Sequence, residues 1–379
     1  MSDASHRVHG VGPEDVAPDW PALRIDEIDT VLAAYPALAA GPHRISWHSP
    51  RPLSAAALVD TARGPVFIKR HHRSVRSADC LEEEHRFMAH LRGHGVPVVE
   101  VFTDAHGRTA HARDAWTYEV HRAGIGTDLY RETTSWTPLT DLAQARQLGA
   151  MLARLHLAAA DYAAPQRSTH LLVARDDLIR AADPIAALQA QFAQRPALAQ
   201  WLRGRDWQAD FRRHLLPWHA GLAEGLRGEP RLWAHNDLHA TNLLWQADGA
   251  APHIGSVLDF GLASPTGALF DLATAIERNA IAWLSLDSGM DAAHVDTALA
   301  LLAGYREVAP LSPGRVRLLA TLLPLVHLDF ALSEVEYFHG ITRAPDNTQV
   351  AYGTFLLGHA DWFASAPGQA LLQALRAAA

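Results

Sequence analysis

Lysine is nearly absent from this sequence. Of 33 lysines and arginines, only Lys69 is a lysine. Arginine is a planar, permanently charged fork, whereas lysine is a compact point charge on a flexible stem. A chain this biased raises the question of what position 69 needs that arginine does not supply. Cysteine is scarce as well: Cys80 stands alone, which excludes an internal disulfide and any need for an oxidising compartment. Basic charge is in deficit, 33 residues against 41 acids for a net −8, the wrong sign for the footprint of a nucleic-acid binder. No uninterrupted apolar run approaches the ~20 residues that span a bilayer. The best, LLATLLPLVHLDFAL, is broken by Pro324, His327 and Asp329. The first residues lack a basic-then-apolar export pattern. We therefore expect a cytoplasmic protein with neither nucleic-acid nor membrane partners, its oligomeric state left open.

What is present is an ordinary globular composition, 49% apolar and 20% charged, over 379 residues, enough for more than one core. The 23 histidines are scattered and read mostly as surface or structural residues. Residues 1–20 read as loose, and IDEIDTVLAAYPAL (25–38) as a short amphipathic helix. Strands are expected at 43–49, 57–62 and 65–71. In the last, Val66, Ile68 and Arg70 alternate with Phe67, Lys69 and His71 across its two faces. A helix follows, with Ser77 as N-cap and RGHG with Pro97 as its stop; Glu84 sits on its apolar stripe of Leu81, Met88 and Leu91. PVVEVFTD (97–104) and AWTYEVHRA (115–123) read as two more strands. Beyond about residue 124 the pattern turns helical. Thr137 and Pro138 are expected to open a helix carrying Leu142, Leu148, Leu152 and Leu155, and Ala/Leu-rich helices fill 170–228 and 265–379. One segment between them differs: RLWAHNDLHATNLLWQADGAAPHIGSVLDFGLAS (231–264) reads as strand, polar loop, strand, turn (QADGAAP) and strand.

That segment carries the chemistry. HNDLHATN places Asp237 five residues before Asn242, and LDFG offers Asp259 seventeen residues further on. A hairpin over 242–259 would return Asp259 to Asn242. An amide oxygen and a carboxylate together suit Mg²⁺, which takes hard oxygen ligands, and Asp237 beside them could accept a proton from an attacking hydroxyl. Positioning, charge neutralisation and a base are what phosphoryl transfer requires. A second reading takes His235, Asp237 and His239 as strand-alternating transition-metal ligands of a metallohydrolase. It leaves Asn242, Asp259 and Lys69 without roles. A third, a nucleotide-binding pseudokinase, is opposed by the complete catalytic set.

The H-x-D-x-x-x-x-N run, followed by D-F-G and DLA, resembles the signature of the aminoglycoside phosphotransferase family. These are small-molecule relatives of protein kinases that include choline and homoserine kinases. The likeness runs over most of residues 43–280. It implies an α+β, protein kinase-like two-lobed fold. An ATP-binding N-lobe (1–122) would hold a small antiparallel sheet and one helix. A mainly helical C-lobe (123–379) would hold the catalytic loop, metal site and substrate helices. The resemblance further implies ATP and Mg²⁺ as cofactors, Asp237 as base, and Asn242 and Asp259 as metal ligands. It puts Lys69 on the nucleotide phosphates with Glu84 as its ion-pair partner, the main chain around Glu119 and His121 against adenine, and Asp271 as a brace of the loop. Independently, a carboxylate on an apolar stripe, as at Glu84, is costly unless paired. One departure stands out: SPRPLSAAA (49–57), where a phosphate-covering loop would lie, has no glycine, unlike protein kinases.

The expected reaction is ATP- and Mg-dependent transfer of a γ-phosphate to a small-molecule hydroxyl. Acids outnumber arginines after residue 321, and the 326–340 segment presents His327, Glu334 and Glu336. These are the candidate acceptor contacts. They suit an amine-bearing compound such as an amino alcohol or hydroxy amino acid, with an aminoglycoside as the alternative.

Overall fold

The alternation in PVFIKRHH has a direct structural outcome. The computed structural model describes residues 6–379 apart from 11, 13, 135 and 248–251. A two-residue pairing of β1 (Val8–His9) with β2 (Asp15–Val16) replaces part of the expected loose start. Helix α1 (Ile25–Leu32) precedes β3 (Arg44–His48), β4 (Ala55–Thr61) and β5 (Gly64–His72). Helix α2 (Ala78–Gly93) then intervenes before β6 (Ala110–Arg113) and β7 (Trp116–Arg122). The five strands form one antiparallel sheet in the order β3-β4-β5-β7-β6.

Val66 and Ile68 of β5 join Val59, Tyr118 and Val120 in a core closed by Ile28, Val31 and Leu32 of α1. Arg70, next on the same face, is buried; its Nη1 donates to Glu27 Oε1 of α1 at 2.8 Å, and its guanidinium lies 4.1 Å over the Trp116 ring. Lys69 therefore faces the other side, where its register partners are Ala56 and Glu119. The same alternation decides both fates: arginine closes the packed face, lysine stands on the opposite one.

Ser77 caps α2 as expected, accepting from the Cys80 N–H at 3.2 Å. Segment 97–104, however, is not a strand. It makes only isolated bridges, Val98 with Val257 and Val101 with His121, because the adjoining positions of β7 are already paired with β5 and β6. Strand β6 was not visible in the sequence; AHAR is too short and too polar to signal one.

Contacts divide the chain into two compact units, Met1–Ile125 with Ser256–Leu258, and Gly126–Gly255 with Asp259–Ala379. In the second, α3 (Leu142–Ala158) starts five residues later than Thr137. Asp141 caps it by accepting from Ala143 and Gln144, and Leu139 is held extended by bonds to Asn279 and Thr297. Short strands β8 (Trp233–Ala234), β9 (Leu243–Gln246), β10 (His253–Val257) and β11 (Ser264–Pro265) pair as β8 with β11 and β9 with β10. Most of the expected turn QADGAAP lies outside the described residues. Helix α4 (Ala268–Ala280) is buried at every residue from Leu269 onward. α5 (Val295–Val308) and α6 (Leu328–Tyr337) follow. The run Pro313–Thr342 is long and apolar enough to cross a membrane by length and composition. However, 83% of its apolar window is buried, so core packing accounts for that apolarity.

Helices α3 and α5 cross backbone to backbone through two glycines. A Cβ at Gly149 would overlap the Leu301 carbonyl, and one at Gly304 the Arg146 carbonyl. Neither obstacle is a flexible side-chain end, so a methyl at either position displaces a helix. Gly149→Ala and Gly304→Ala should each lower the unfolding free energy by at least the roughly 1–3 kcal/mol typical of overpacking. Gly228→Ala, which meets nothing within 4 Å, is the control. A urea midpoint in either helix variant equal to the control's would refute the crossing.

Candidate active site

A carboxylate on the fully buried α4 organises the polar loop after β8. Asp271 accepts the backbone N–H of His235 at 2.9 Å and of Asn236 at 2.8 Å, and its Oδ2 lies 3.0 Å from His156 Nε2 of α3. Asn236 has φ +62°, a left-handed conformation that asparagine tolerates. Its side chain is fixed there by donating to the Ser264 carbonyl and accepting from Thr266 Oγ1 at 2.7 Å. Further along α4, Asn279 takes the Ala240 N–H and donates to the Leu238 carbonyl, both at 3.0 Å. One helix thus grips the loop on both sides of Asp237. The Asn242 Nδ2 donates to the Asp237 carbonyl at 2.9 Å, which leaves its amide oxygen for another partner.

Asp237 is 19% exposed at its side chain, and Arg278 Nε of α4 sits 3.2 Å from its Oδ1. Burial alone would push this carboxyl up, but His239 and Arg278 hold it below the ordinary range, against the opposing charge of Asp259. Asp259 itself has φ +54° and accepts from the Gly261 N–H at 3.3 Å. The Asp259 carboxylate and an amide oxygen whose nitrogen is tied down are hard-oxygen donors that fit Mg²⁺, with Asp237 near enough to feel the Asp259 charge.

The transition-metal trio does not form. His235 is fully buried, its Nδ1 accepts the Asp237 N–H at 3.2 Å, and its ring packs on Phe260. His239 Nδ1 is engaged with Thr241 Oγ1 at 2.8 Å. Among the described residues these three do not converge on a common point that could hold an ion.

In the first unit, Lys69 is half-buried on β5, and Glu84 is 3% exposed on the buried stripe of α2 with Leu81, Met88 and Leu91. The expectation for the main chain around Glu119 and His121 needs correcting. Glu119 is paired on both sides, with Lys69 and Ala110, and His121 with Phe67 and Val101. Beyond the sheet pairing, the Arg122 and Ala123 N–H groups are also taken, by the carbonyls of Glu100 and Pro65. What Glu119 contributes is its side chain, which binds three histidines.

The expected acceptor contacts also change. A pocket beside the loop is lined by Arg175, Asn236, Glu277, Arg278, His327 and Phe330, among others. His327 is there, its Nε2 donating to the Leu356 carbonyl at 3.0 Å; burial pushes its pKa down to about 4, so it is neutral. Glu336 is not. It is buried against Arg195, whose Nε donates to it at 2.8 Å, and an arginine this enclosed needs that carboxylate. Glu334 is half-buried and does not line the pocket. The acid that does is Glu277. Burial raises its pKa, with Arg278 and His327 opposing, and its Oε1 has no hydrogen-bond partner; nor have Arg175 Nε and Arg278 Nε. Arg278 also lies 4.2 Å over the Trp136 ring. Arg278 stands two turns beyond Asp271 on one helix, a spacing that would have flagged it in DLATAIER.

With this geometry in view, comparison with known proteins is specific. Residues 53–311 match the model of the phosphotransferase enzyme family, APH. A homoserine kinase from Methylocella silvestris is 28% identical over 204 residues, 52% of this chain and 54% of its own length. The chain thus spans about half the length of that curated relative. The solved structure of a microcompartment-associated aminopropanol kinase superposes with a TM-score of 0.57 at 16% identity, over 91% of this chain and 99% of the other. An amicoumacin kinase in complex with AMP-PNP, Ca²⁺ and Ami gives 0.58 at 14% identity, over 89% and 93%. At such identities the structures establish the kinase-like α+β fold, and the family model, which spans more than half of the sequence, establishes the lineage: the chain belongs to the phosphotransferase enzyme family, APH.

Proposed function

We propose that this protein moves the γ-phosphate of ATP to the hydroxyl of a small hydroxy amino acid. The observation that carries the reaction is the grip of α4 on the loop: Asp271 and Asn279 fix the backbone on either side of Asp237 and so hold its carboxylate in place. Asp237 accepts the proton of the acceptor hydroxyl as that oxygen bonds to the γ-phosphorus and the bond to the β-phosphate oxygen breaks. Asn242 and Asp259 are the residues that would hold Mg²⁺, which when bound supplies neutralisation of phosphate charge. Lys69 is assigned to the phosphates and Glu84 to steadying it, as their places in this family's sequence pattern suggest. A compact ammonium suits that role better than a fork.

The acceptor class is inferred from the pocket's unmet polar atoms. Glu277 Oε1 lacks a donor, while Arg175 Nε and Arg278 Nε lack aligned acceptors. Unpaired buried polar groups are costly, and an acceptor carrying both an ammonium and a carboxylate complements them in charge. An amino alcohol has no anion for the two Nε atoms, whose guanidiniums otherwise pair with Asp177 and Asp237. The homoserine kinase relative, whose substrate is a hydroxy amino acid, supports the same choice.

Three measurements test this. Asp237→Asn should keep the fold by circular dichroism and lose roughly 10²–10⁴ in turnover. Because the base works ionised and its pKa is lowered, the acid limb of the wild-type rate profile should fall below the ordinary carboxylate range. Arg278→Met should move that limb to higher pH. A full-rate Asp237→Asn enzyme removes the residue from the base role. For the acceptor, Glu277→Gln should raise KM for hydroxy amino acids and amino alcohols alike, whereas Arg175→Met should raise it only for the former. Equal effects of Arg175→Met on both classes would contradict the carboxylate assignment. Finally, Lys69 is the only side-chain amine, so an amine-directed acyl-phosphate ATP probe should label it, and excess ATP with Mg²⁺ should protect it. Lys69→Arg should not restore turnover. Labelling unaffected by ATP would show that the phosphates do not meet this residue.

A further inference from the structure

The first unit encloses a second cluster that the phosphotransfer chemistry does not use. Glu119 of β7 is 1% exposed. His85 Nε2 of α2 lies 2.7 Å from its Oε2, His121 Nε2 2.9 Å from the same oxygen, and His71 Nε2 of β5 2.9 Å from Oε1. His85 is 3% and His71 7% exposed, and the His121 side chain 12%. The donor atoms of His85, Glu119 and His121 all fall within 4.8 Å of one another.

From this we infer that His85, His121 and Glu119 form a transition-metal site of the zinc class, tying α2 to the sheet. Two imidazole nitrogens and a carboxylate oxygen are a donor set that zinc takes, with bonds of about 2.0–2.2 Å. Tetrahedral bonds of that length put ligand atoms about 3.3–3.5 Å apart, so admitting an ion needs the present 2.7 and 2.9 Å contacts to open by only about half an ångström. The side chains already converge from two elements. Both imidazoles offer the same nitrogen, Nε2, to one point, which is what ligation needs and what packing alone does not require.

His85 Nδ1 is buried without a hydrogen-bond partner, and it is the nitrogen that would carry the ring proton once Nε2 binds an ion. His71 donates to the other carboxylate oxygen and so orients it as an outer-shell group does. The fourth position is left to water or a small ligand.

The site has a mechanical consequence. His85 follows Glu84 directly in α2, and Glu119 lies opposite Lys69 in the β5–β7 register. An ion bridging His85 to β7 would therefore pin the helix turn that carries Glu84 onto the strand pair that carries Lys69. The inference stands apart from the proposed reaction, since its readouts are metal content and coordination.

The test uses full-length protein with any affinity tag removed, stripped by chelator and dialysed against Zn²⁺ or Co²⁺. One ion should be retained per chain, and the Co²⁺ form should show the intense visible bands of four- or five-coordinate cobalt. His85→Asn and His121→Asn should abolish retention, and His71→Asn should weaken it by about 10–100-fold, as for an outer-shell group. His106→Asn, on an exposed turn, should leave it unchanged. Wild-type protein that retains no ion, or gives only the weak spectrum of hexa-aquo cobalt, overturns the site without recourse to any variant. Retention that survives both ligand substitutions overturns it equally.

Discussion

The second unit turns on one buried carboxylate. Asp271 is taken wholly out of water, which would be prohibitive for a lone charge. Its oxygens instead receive two consecutive backbone N–H groups and an imidazole. That exchange stabilises the acid and at the same time removes the freedom of the loop. Asn236 can then hold a left-handed conformation, and Asp237 is presented rather than left to wander. His156, in turn, is held by the Tyr305 hydroxyl at 2.9 Å, so α3 and α5 both contribute to the placement of a loop that neither touches by sequence. Precision at Asp237 is inherited from the core.

Much of this was legible in the residues. Period-two alternation in β5 separated the face of Arg70 from the face of Lys69, and Ser77 announced the start of α2. The stripe that holds Glu84 is buried as its spacing implies. The expectations that failed have a common cause. Glu336 and Glu277 are both acids on buried helices, and nothing local distinguishes the one that meets Arg195 from the one that lines a pocket. The deciding partner lies far away in sequence. Glu119 was read for its backbone because strand residues look alike from outside, but its value lies in three histidines from elsewhere in the fold. Thr137 and Pro138 looked like a helix start until tertiary bonds at Leu139 held that stretch extended, leaving Asp141 to cap. Local signals located elements well; pairwise partners of buried charges needed the fold.

The near-absence of lysine also acquires a physical sense. Several arginines here act as multi-point staples inside the protein. Arg180 donates to the carbonyls of Leu226, Glu229 and Thr266 besides pairing with Asp176. Arg175 gathers those of Arg167 and Thr169. A planar group with five donors can serve several carbonyls in fixed directions, where an ammonium would bind fewer and less rigidly. Lys69 stands instead on a half-buried face of β5.

The glycine crossing of α3 and α5 bears on how the molecule assembles. Residues 149 and 304 are remote along the chain, and their backbones must meet before His156 and Tyr305 can stand together against Asp271. Closing so long a loop is entropically slow. The final alignment of the loop around Asp237 therefore depends on a contact between segments far apart in the chain, and not on the local helices alone. A chain that lacked that crossing would leave the loop around Asp237 without the support of His156 and Tyr305.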